Sequence, residues 1–424
     1  GASSGMAMAH WEIQGWMILI LGWVFVPFYS RSMVYTMPEF LERRYNPQSR
    51  TILSVISLVS YVLTKVAVTV YAGGLVFQQV FGIKELWGID FFWIAAIGLV
   101  VLTALYTIFG GMKSVLYTSV LQTPILLLGS LIILVLGFKE LGGWDEMMRV
   151  CGAVTVNDYG DTMTNLIRSN DDANFPWLGA LIGSAIIGFW YWCTDQFIVQ
   201  RVLSGKNEKE ARRGTIFGAY LKLLPVFLFL IPGMIAFALH QKYIGAGGEG
   251  FLPMLANGTA NADAAFPTLV AKLLPAGVKG LVVCGILAAL MSSLASLFNS
   301  SAMLFTIDFY KRFRPETPEK KLVGIGQIAT VVIVILGILW IPIMRSVGDV
   351  LYTYLQDVQS VLAPGIAAAF LLGICWKRTS AQGGMWGLIS GMVIGLTRLG
   401  AKVYYSNAGE VADSTLKYLF YDMN

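Results

Sequence analysis

The sequence predicts an all-α, polytopic membrane protein, and three observations carry that prediction. Of its 424 residues, 56% are hydrophobic and 13% are charged, about half the charge of a typical soluble domain. Ten apolar stretches recur along the chain, each near the ~20 residues that a membrane helix needs. Basic residues gather in alternate connections between those stretches. The 45 glycines suit close helix packing better than a soluble core.

The stretches run over 6–28, 50–79, 91–110, 114–138, 176–195, 213–240, 276–307, 321–344, 353–376 and 383–403. Pro-Gly, Gly-Gly and charge clusters separate them. The third and fourth meet in a very tight connection at Gly110-Gly111-Met112-Lys113. One set of alternate connections holds more than half of the lysines and arginines, among them Arg43, Arg44, Lys113, Arg212, Arg213, Lys311, Arg312 and Lys377. The opposite set is longer and acidic, with Asp145, Glu146, Asp161, Asp171, Asp172 and Glu249. The positive-inside rule places the basic set in the cytoplasm and Gly1 outside. Asn257-Gly258-Thr259 matches a glycosylation sequon on that outer side.

The net charge of +5 does not point to nucleic acid, because the positive residues lie in short connections between spans. Cys151, Cys193, Cys284 and Cys375 show no paired spacing and read as reduced, structural residues. Zinc spacing, a P-loop, a dinucleotide fingerprint and a nucleophile elbow do not occur, so the sequence gives no support to an enzyme. The chain starts at Gly1 and ends at Asn424. Both ends read as cuts through a longer protein, so one transmembrane domain over 1–424 is expected.

Polar groups inside the apolar stretches point to function. Lys222, Lys65 and Glu12 lie in segments of membrane length. A charge at bilayer depth costs several kcal/mol, so it faces protein or an aqueous path. Glu12, Lys222 and Gln356 together offer an acceptor, a donor and an amide with both, a set suited to a neutral polyhydroxylated ligand. The same set also allows Glu12 and Lys222 simply to pair with each other. Lys65 either snorkels or pairs.

Ala289, Ser292, Ser293 and Ser296 are spaced i, i+3, i+4, i+7 and share one helical face, which Asn299 continues. Such a face reads either as oxygen ligands for a hard cation such as Na⁺ or as small-residue helix packing. Trp190, Tyr191 and Trp192 read either as an interfacial belt or as faces that stack on a sugar ring. Asp195 and Arg201 follow, six residues apart, as a candidate inner gate contact. Residues 345–364 hold Gly348, Gln356, Asp357, Gln359 and Ser360 before Pro364-Gly365. That pattern predicts a helix broken near mid-depth, a pointer to a binding site. Pro232-Gly233 predicts a milder interruption.

At WYWCTDQFIVQRVLSGKN (190–207) the chain closely resembles the sodium/glucose cotransporter branch of the solute:sodium symporter family. Further matches are VYTMPEFLERRYN (34–46), YLKLLPVFLFLIPGM (220–234), MSSLASLFNSSAMLFTIDFYKR (291–312) and FLLGICWKR (370–378). The resemblance implies a LeuT-like inverted-repeat fold with broken first and sixth core helices. Aligned to that pattern, the first core helix and the flanking helices are apparently lacking. The resemblance also implies sodium-coupled symport of a neutral sugar of the glucose or galactose type by alternating access, in a plasma or bacterial inner membrane. Other cargoes on the same fold are myo-inositol, another polyol or a carboxylate. A sugar-gated sensor is the alternative of another class.

Residue by residue, Glu12, Trp192, Lys222 and Gln356 match sugar-contacting positions, and Tyr191 matches the aromatic inner gate. Ala289, Ser292 and Ser293 match Na⁺ ligands, the alanine through its carbonyl. Relatives coupling two sodium ions carry an aspartate where this chain has Ser119 and a hydroxyl where it has Ala295, which implies one Na⁺ per sugar here. Relatives also place a polar side chain where this chain has Gly188.

Overall fold

The computed structural model describes residues 1–424 apart from Ile13, Met33, Tyr35, Ala173, residues 256–257, 348–350 and 409–424. The sequon at Asn257 and Gly348, in the segment expected to break, therefore lie outside the described residues. Nearly all the described backbone is helical. Among the described residues, seven helices are long and apolar enough to cross a membrane, or eight if the bent pair Gly15–Ser32 and Met37–Arg44 counts as one span. The other two expected stretches fall on the shorter apolar helix Phe91–Leu105 and on Ala381–Ala408.

Two expected features differ. The tight connection at Gly110-Gly111 is not a break: the backbone is helical from Phe91 to Leu141. Glycine lowers helix stability by only about 1 kcal/mol relative to alanine, which neighbours can supply. At roughly 1.5 Å per residue that run is over twice the thickness of a bilayer core, so it holds two membrane-length segments. The break expected over 345–364 is not at Pro364-Gly365, since one helix covers Leu351–Cys375, and residues 348–350 lie outside the described residues. A Cβ on Gly365 would stand 3.0 Å from the Gly391 Cα. The glycine is there for close helix packing, and that contact offsets the hydrogen bond the proline forfeits.

The chain divides into two compact units. The first comprises Gly1–Ile13, Thr69–Ala180 and Lys222–Ala295. Within it, the segments at 116–141 and 276–303 approach closely. A Cβ on Gly129 would meet Val282 Cγ2 at 2.5 Å, and one on Gly285 would meet Ile125 Cγ2 at 2.9 Å. A hairpin pairs Glu85–Leu86 with Ile89–Asp90. Trp87 and Gly88 turn it with φ of 56° and 74°, the left-handed pair of a type I′ turn.

The second unit comprises Gln14–Val68, Leu181–Leu221 and Ser296–Asn424. Its core is aromatic. Phe40 stacks on Phe370 with centroids 5.7 Å apart and meets Tyr29 edge-on at 5.7 Å. Tyr45 donates to the Ala369 carbonyl at 2.7 Å. The cysteines are free, with Cys151 and Cys193 buried and Cys284 and Cys375 exposed.

Five π-helical segments interrupt the α-helices among the described residues: Leu21–Phe25, Tyr61–Val66, Phe189–Thr194, Val226–Leu230 and Leu304–Tyr310. Each widened turn leaves carbonyls out of the regular ladder and re-aims side chains, a feature frequent at functional sites. Two of the five carry the charges and aromatics described next.

Candidate functional site

The helix Glu208–Leu221 ends where Lys222, the first residue of the first unit's last segment, begins. Lys222 and Leu223 form a turn, and the chain becomes helical again at Leu224. Pro225 explains the position. It has no N–H for the Leu221 carbonyl, and its ring crowds that carbonyl. The interruption predicted at Pro232-Gly233 thus falls ten residues earlier, at the lysine itself. Lys222 forms an ion pair with Glu12. Side-chain exposures of 23% and 16% leave both groups partly open. Lysine has three donors and a carboxylate about four acceptor sites, groups whose chemistry suits a neutral, hydroxyl-rich partner.

The serine face lies on the helix Ala276–Met303. Ser292 is buried, while Ala289 and Ser293 are half-buried. The Ser292 hydroxyl lies 2.6 Å from that of Ser119. The donor set here is neutral oxygen, and no cluster of three or more histidines, cysteines or acids that could hold a metal occurs among the described residues. Hydroxyls and carbonyls suit a hard, weakly bound monovalent cation.

In the second unit, Tyr191 and Trp192 sit on the π-helix Phe189–Thr194. They are half-buried, whereas Cys193 through Phe197 are buried. Their rings meet edge-on at 4.9 Å and 81°. Gln356 is 7% exposed, and its carboxamide oxygen is buried without a hydrogen-bond partner among the described residues. The aromatic pair is therefore not an interfacial belt turned outward, since its flanks are buried on both sides.

Lys65 has a definite place in this unit. It pairs with Asp195, with side-chain exposures of 8% and 3%. Its ammonium lies over the rings of Phe197 at 4.4 Å, Tyr61 at 4.8 Å and Tyr191 at 4.8 Å. Tyr61 donates to the same carboxylate at 2.7 Å, and Asp195 caps the helix Gln196–Leu203 by accepting from the Phe197 N–H at 3.0 Å. The Asp195–Arg201 contact expected from the sequence is thus replaced. Asp195 takes Lys65, and Arg201 donates to the Ser296 hydroxyl. Helix capping aims the aspartate back from the turn that carries Arg201.

Sequence reasoning missed a second buried acid. Asp308 is fully buried, accepts from Thr36 at 3.0 Å and from Arg50 Nε at 2.7 Å, and Arg50 also reaches Glu42 at 2.6 Å. An aspartate inside an apolar run, with an arginine just before another span, was the available signal.

The profile of the sodium:solute symporter family matches residues 1–391. The chain is 37% identical over 412 residues to the human "Sodium/myo-inositol cotransporter 2", covering 94% of this chain and 60% of that protein. It is 37% identical over 419 residues to the mouse "Sodium/glucose cotransporter 4", covering 96% and 60%. It therefore spans about 60% of the length of these curated relatives. Among solved structures, a "Na+-coupled sialic acid symporter" in a substrate-bound outward-open state aligns with a TM-score of 0.69 at 20% identity. That alignment covers 94% of this chain and 84% of the other and establishes the shared LeuT-like fold.

Proposed function

Because the chain belongs to the sodium:solute symporter family, we propose that it takes part in Na⁺-coupled symport of a neutral polyhydroxylated solute, a glucose-type sugar or a cyclitol such as myo-inositol. The observation that carries this reading is the Glu12–Lys222 ion pair at the helix interruption. A cationic or anionic cargo wants an unpaired opposite charge. Paired charges with several donors and acceptors suit hydroxyls. In this reading Lys222 donates to cargo hydroxyls and Glu12 accepts from them. The family resemblance adds Gln356, whose orphan oxygen can accept a hydroxyl, and Trp192, whose face suits the C–H side of a ring, as further sugar-contacting positions. Tyr191, backed by Lys65, forms the inner gate.

Na⁺ is carried by Ala289, Ser292 and Ser293, and the reading includes one Na⁺ per cargo. At residue 119 a serine hydroxyl, engaged with Ser292, stands where a second site would want a carboxylate. Na⁺ binds first from the outer side and favours the outward-open state. Cargo then enters, the gates close, and the ion leaves toward low sodium. One charge crossing 100 mV supplies ~2.3 kcal/mol, roughly 50-fold accumulation before the sodium gradient adds its share. The multi-pass chain would serve this role in a cell membrane, with the basic connections inside.

The test is uptake by the full-length protein in proteoliposomes, with sugars, cyclitols and carboxylates, each with and without a sodium gradient. Sodium-driven accumulation of a neutral polyol, with one charge moved per molecule, is the expected result. Accumulation of carboxylates only, gradient-independent binding without uptake, or a charge ratio near two would count against the corresponding part.

A further inference from the structure

Gln14 has specific surroundings. Its side chain is 6% exposed, and its amide nitrogen Nε2 is buried without a hydrogen-bond partner among the described residues. Buried polar atoms are nearly always satisfied in native proteins, so an orphan donor needs an explanation. The amide is also held in place. A Cβ on residue 188 would stand 3.2 Å from Gln14 Cβ, 3.4 Å from its Cγ and 3.1 Å from Met17 Cγ. Glycine at 188 is what leaves the seat for the glutamine stem.

The register continues along the same segment. Cys193 Sγ reaches the Met17 carbonyl at 3.4 Å, and Tyr29 donates to the Cys193 carbonyl at 2.8 Å. Gln14 therefore lies alongside residues 188–193, the stretch that carries Tyr191 and Trp192, and Trp192 follows Gly188 by about one π-turn. The same unit holds a second orphan, the acceptor oxygen of Gln356. A polyol carries hydroxyls that accept and hydroxyls that donate; Gln14 offers a donor to the first and Gln356 an acceptor to the second.

We propose that Gln14 is a specificity-determining cargo contact, its amide N–H donating to a hydroxyl of the carried polyol from the seat that Gly188 provides. This rests on the polyol reading above. Positions 14 and 188 act as a pair: the volume absent at one is filled by a polar side chain from the other.

The experiment compares the full-length wild type with Gln14→Met, which keeps the volume and removes the donor, and with Gly188→Ala, which closes the seat. Uptake of D-glucose, myo-inositol and their monodeoxy analogues is measured with the sodium dependence, and the thermal midpoint without cargo. Gln14→Met is expected to raise KM for the carried polyol about 3–10-fold. The Na⁺ half-saturation should stay unchanged, and at least one deoxy analogue should be insensitive to the substitution. The midpoint should hold or rise, because an unsatisfied buried donor is gone. Gly188→Ala should reproduce the selectivity change. An unchanged KM, or equal losses across all analogues with a lowered midpoint, overturns the proposal. A wild type that carries neither polyol defeats the functional reading, and this proposal with it.

Discussion

Lys222→Met tests the ion pair at the helix interruption most directly. The substitution keeps the aliphatic stem and removes the ammonium, leaving Glu12 without its cation. Side-chain exposures of 23% and 16% place the pair between two limits. Exposed pairs contribute about 0–1 kcal/mol, and breaking a fully buried pair costs about 3–5 kcal/mol. A stability loss of roughly 1–3 kcal/mol is the expected value between them. The cargo effect is separate. Losing a charged donor to a hydroxyl costs about 1.5–3 kcal/mol, which is roughly 10- to 150-fold in KM. Glu12→Gln combined with Lys222→Met removes both charges together and should recover most of the stability but not the affinity. Thermal midpoints of the wild type, Lys222→Met, Glu12→Gln and the double variant give the coupling, and proteoliposome uptake gives KM. Additive midpoints, with coupling under about 0.5 kcal/mol, would refute the pairing. Complete loss of binding in Lys222→Met, instead of a graded loss, would refute the polyol and favour a carboxylate cargo.

Ser293→Ala should abolish the sodium stimulation of uptake in a protein that still folds; uptake that persists at low sodium removes Ser293 from the ion path. Lys65→Met leaves Asp195 uncompensated in a site only 3% exposed and should destabilise by about 3–5 kcal/mol. Adding Asp195→Asn should restore most of that loss, and a double variant no better than the single would contradict the pairing. In the connection between the spans ending at Leu141 and beginning at Trp177, donation by the Asn157 amide and the Ser169 N–H holds the Asp161 carboxyl below its ordinary range. A depressed acid stabilises the fold above its unfolded pKa and loses that contribution as pH falls through the folded value. Hydrogen-exchange protection over 157–172, corrected for the intrinsic pH dependence of amide exchange, should therefore stay constant from neutral pH downward and fall only below about pH 4. Loss of protection near pH 6 would point to another group.

What the sequence made legible was the chemistry, and what it hid was the pairing. Glu12 and Lys222 stood out because opposite charges in apolar segments seek each other. Lys65 and Asp195 were visible for the same reason, but they are 130 residues apart. Arg201, only six residues from Asp195, was the partner that local spacing offered. The break at Lys222 was displaced from the eye because a proline acts on the carbonyl four residues before it; Pro225 marks Leu221, not itself. Pro364 looked like a break and is not one, since Gly391 sits against Gly365 on a neighbouring helix. The orphan amide of Gln14 had no sequence signal at all, because its meaning depends on a missing side chain at residue 188.

The π-helical segments have an implication for how this chain tolerates change in length. A widened turn is an α-turn with one residue too many. Deleting a single residue from Tyr61–Val66 or Phe189–Thr194 would let the helix close to its ordinary pitch. The helix beyond would keep its facing, because the widened turn is what absorbs the extra residue, and only the side chains of that turn, Lys65 or Trp192 among them, would turn toward different neighbours. Relatives are therefore expected to show isolated one-residue gaps in mid-span at these positions. Such a gap would mark a rewired interior, not a shortened loop.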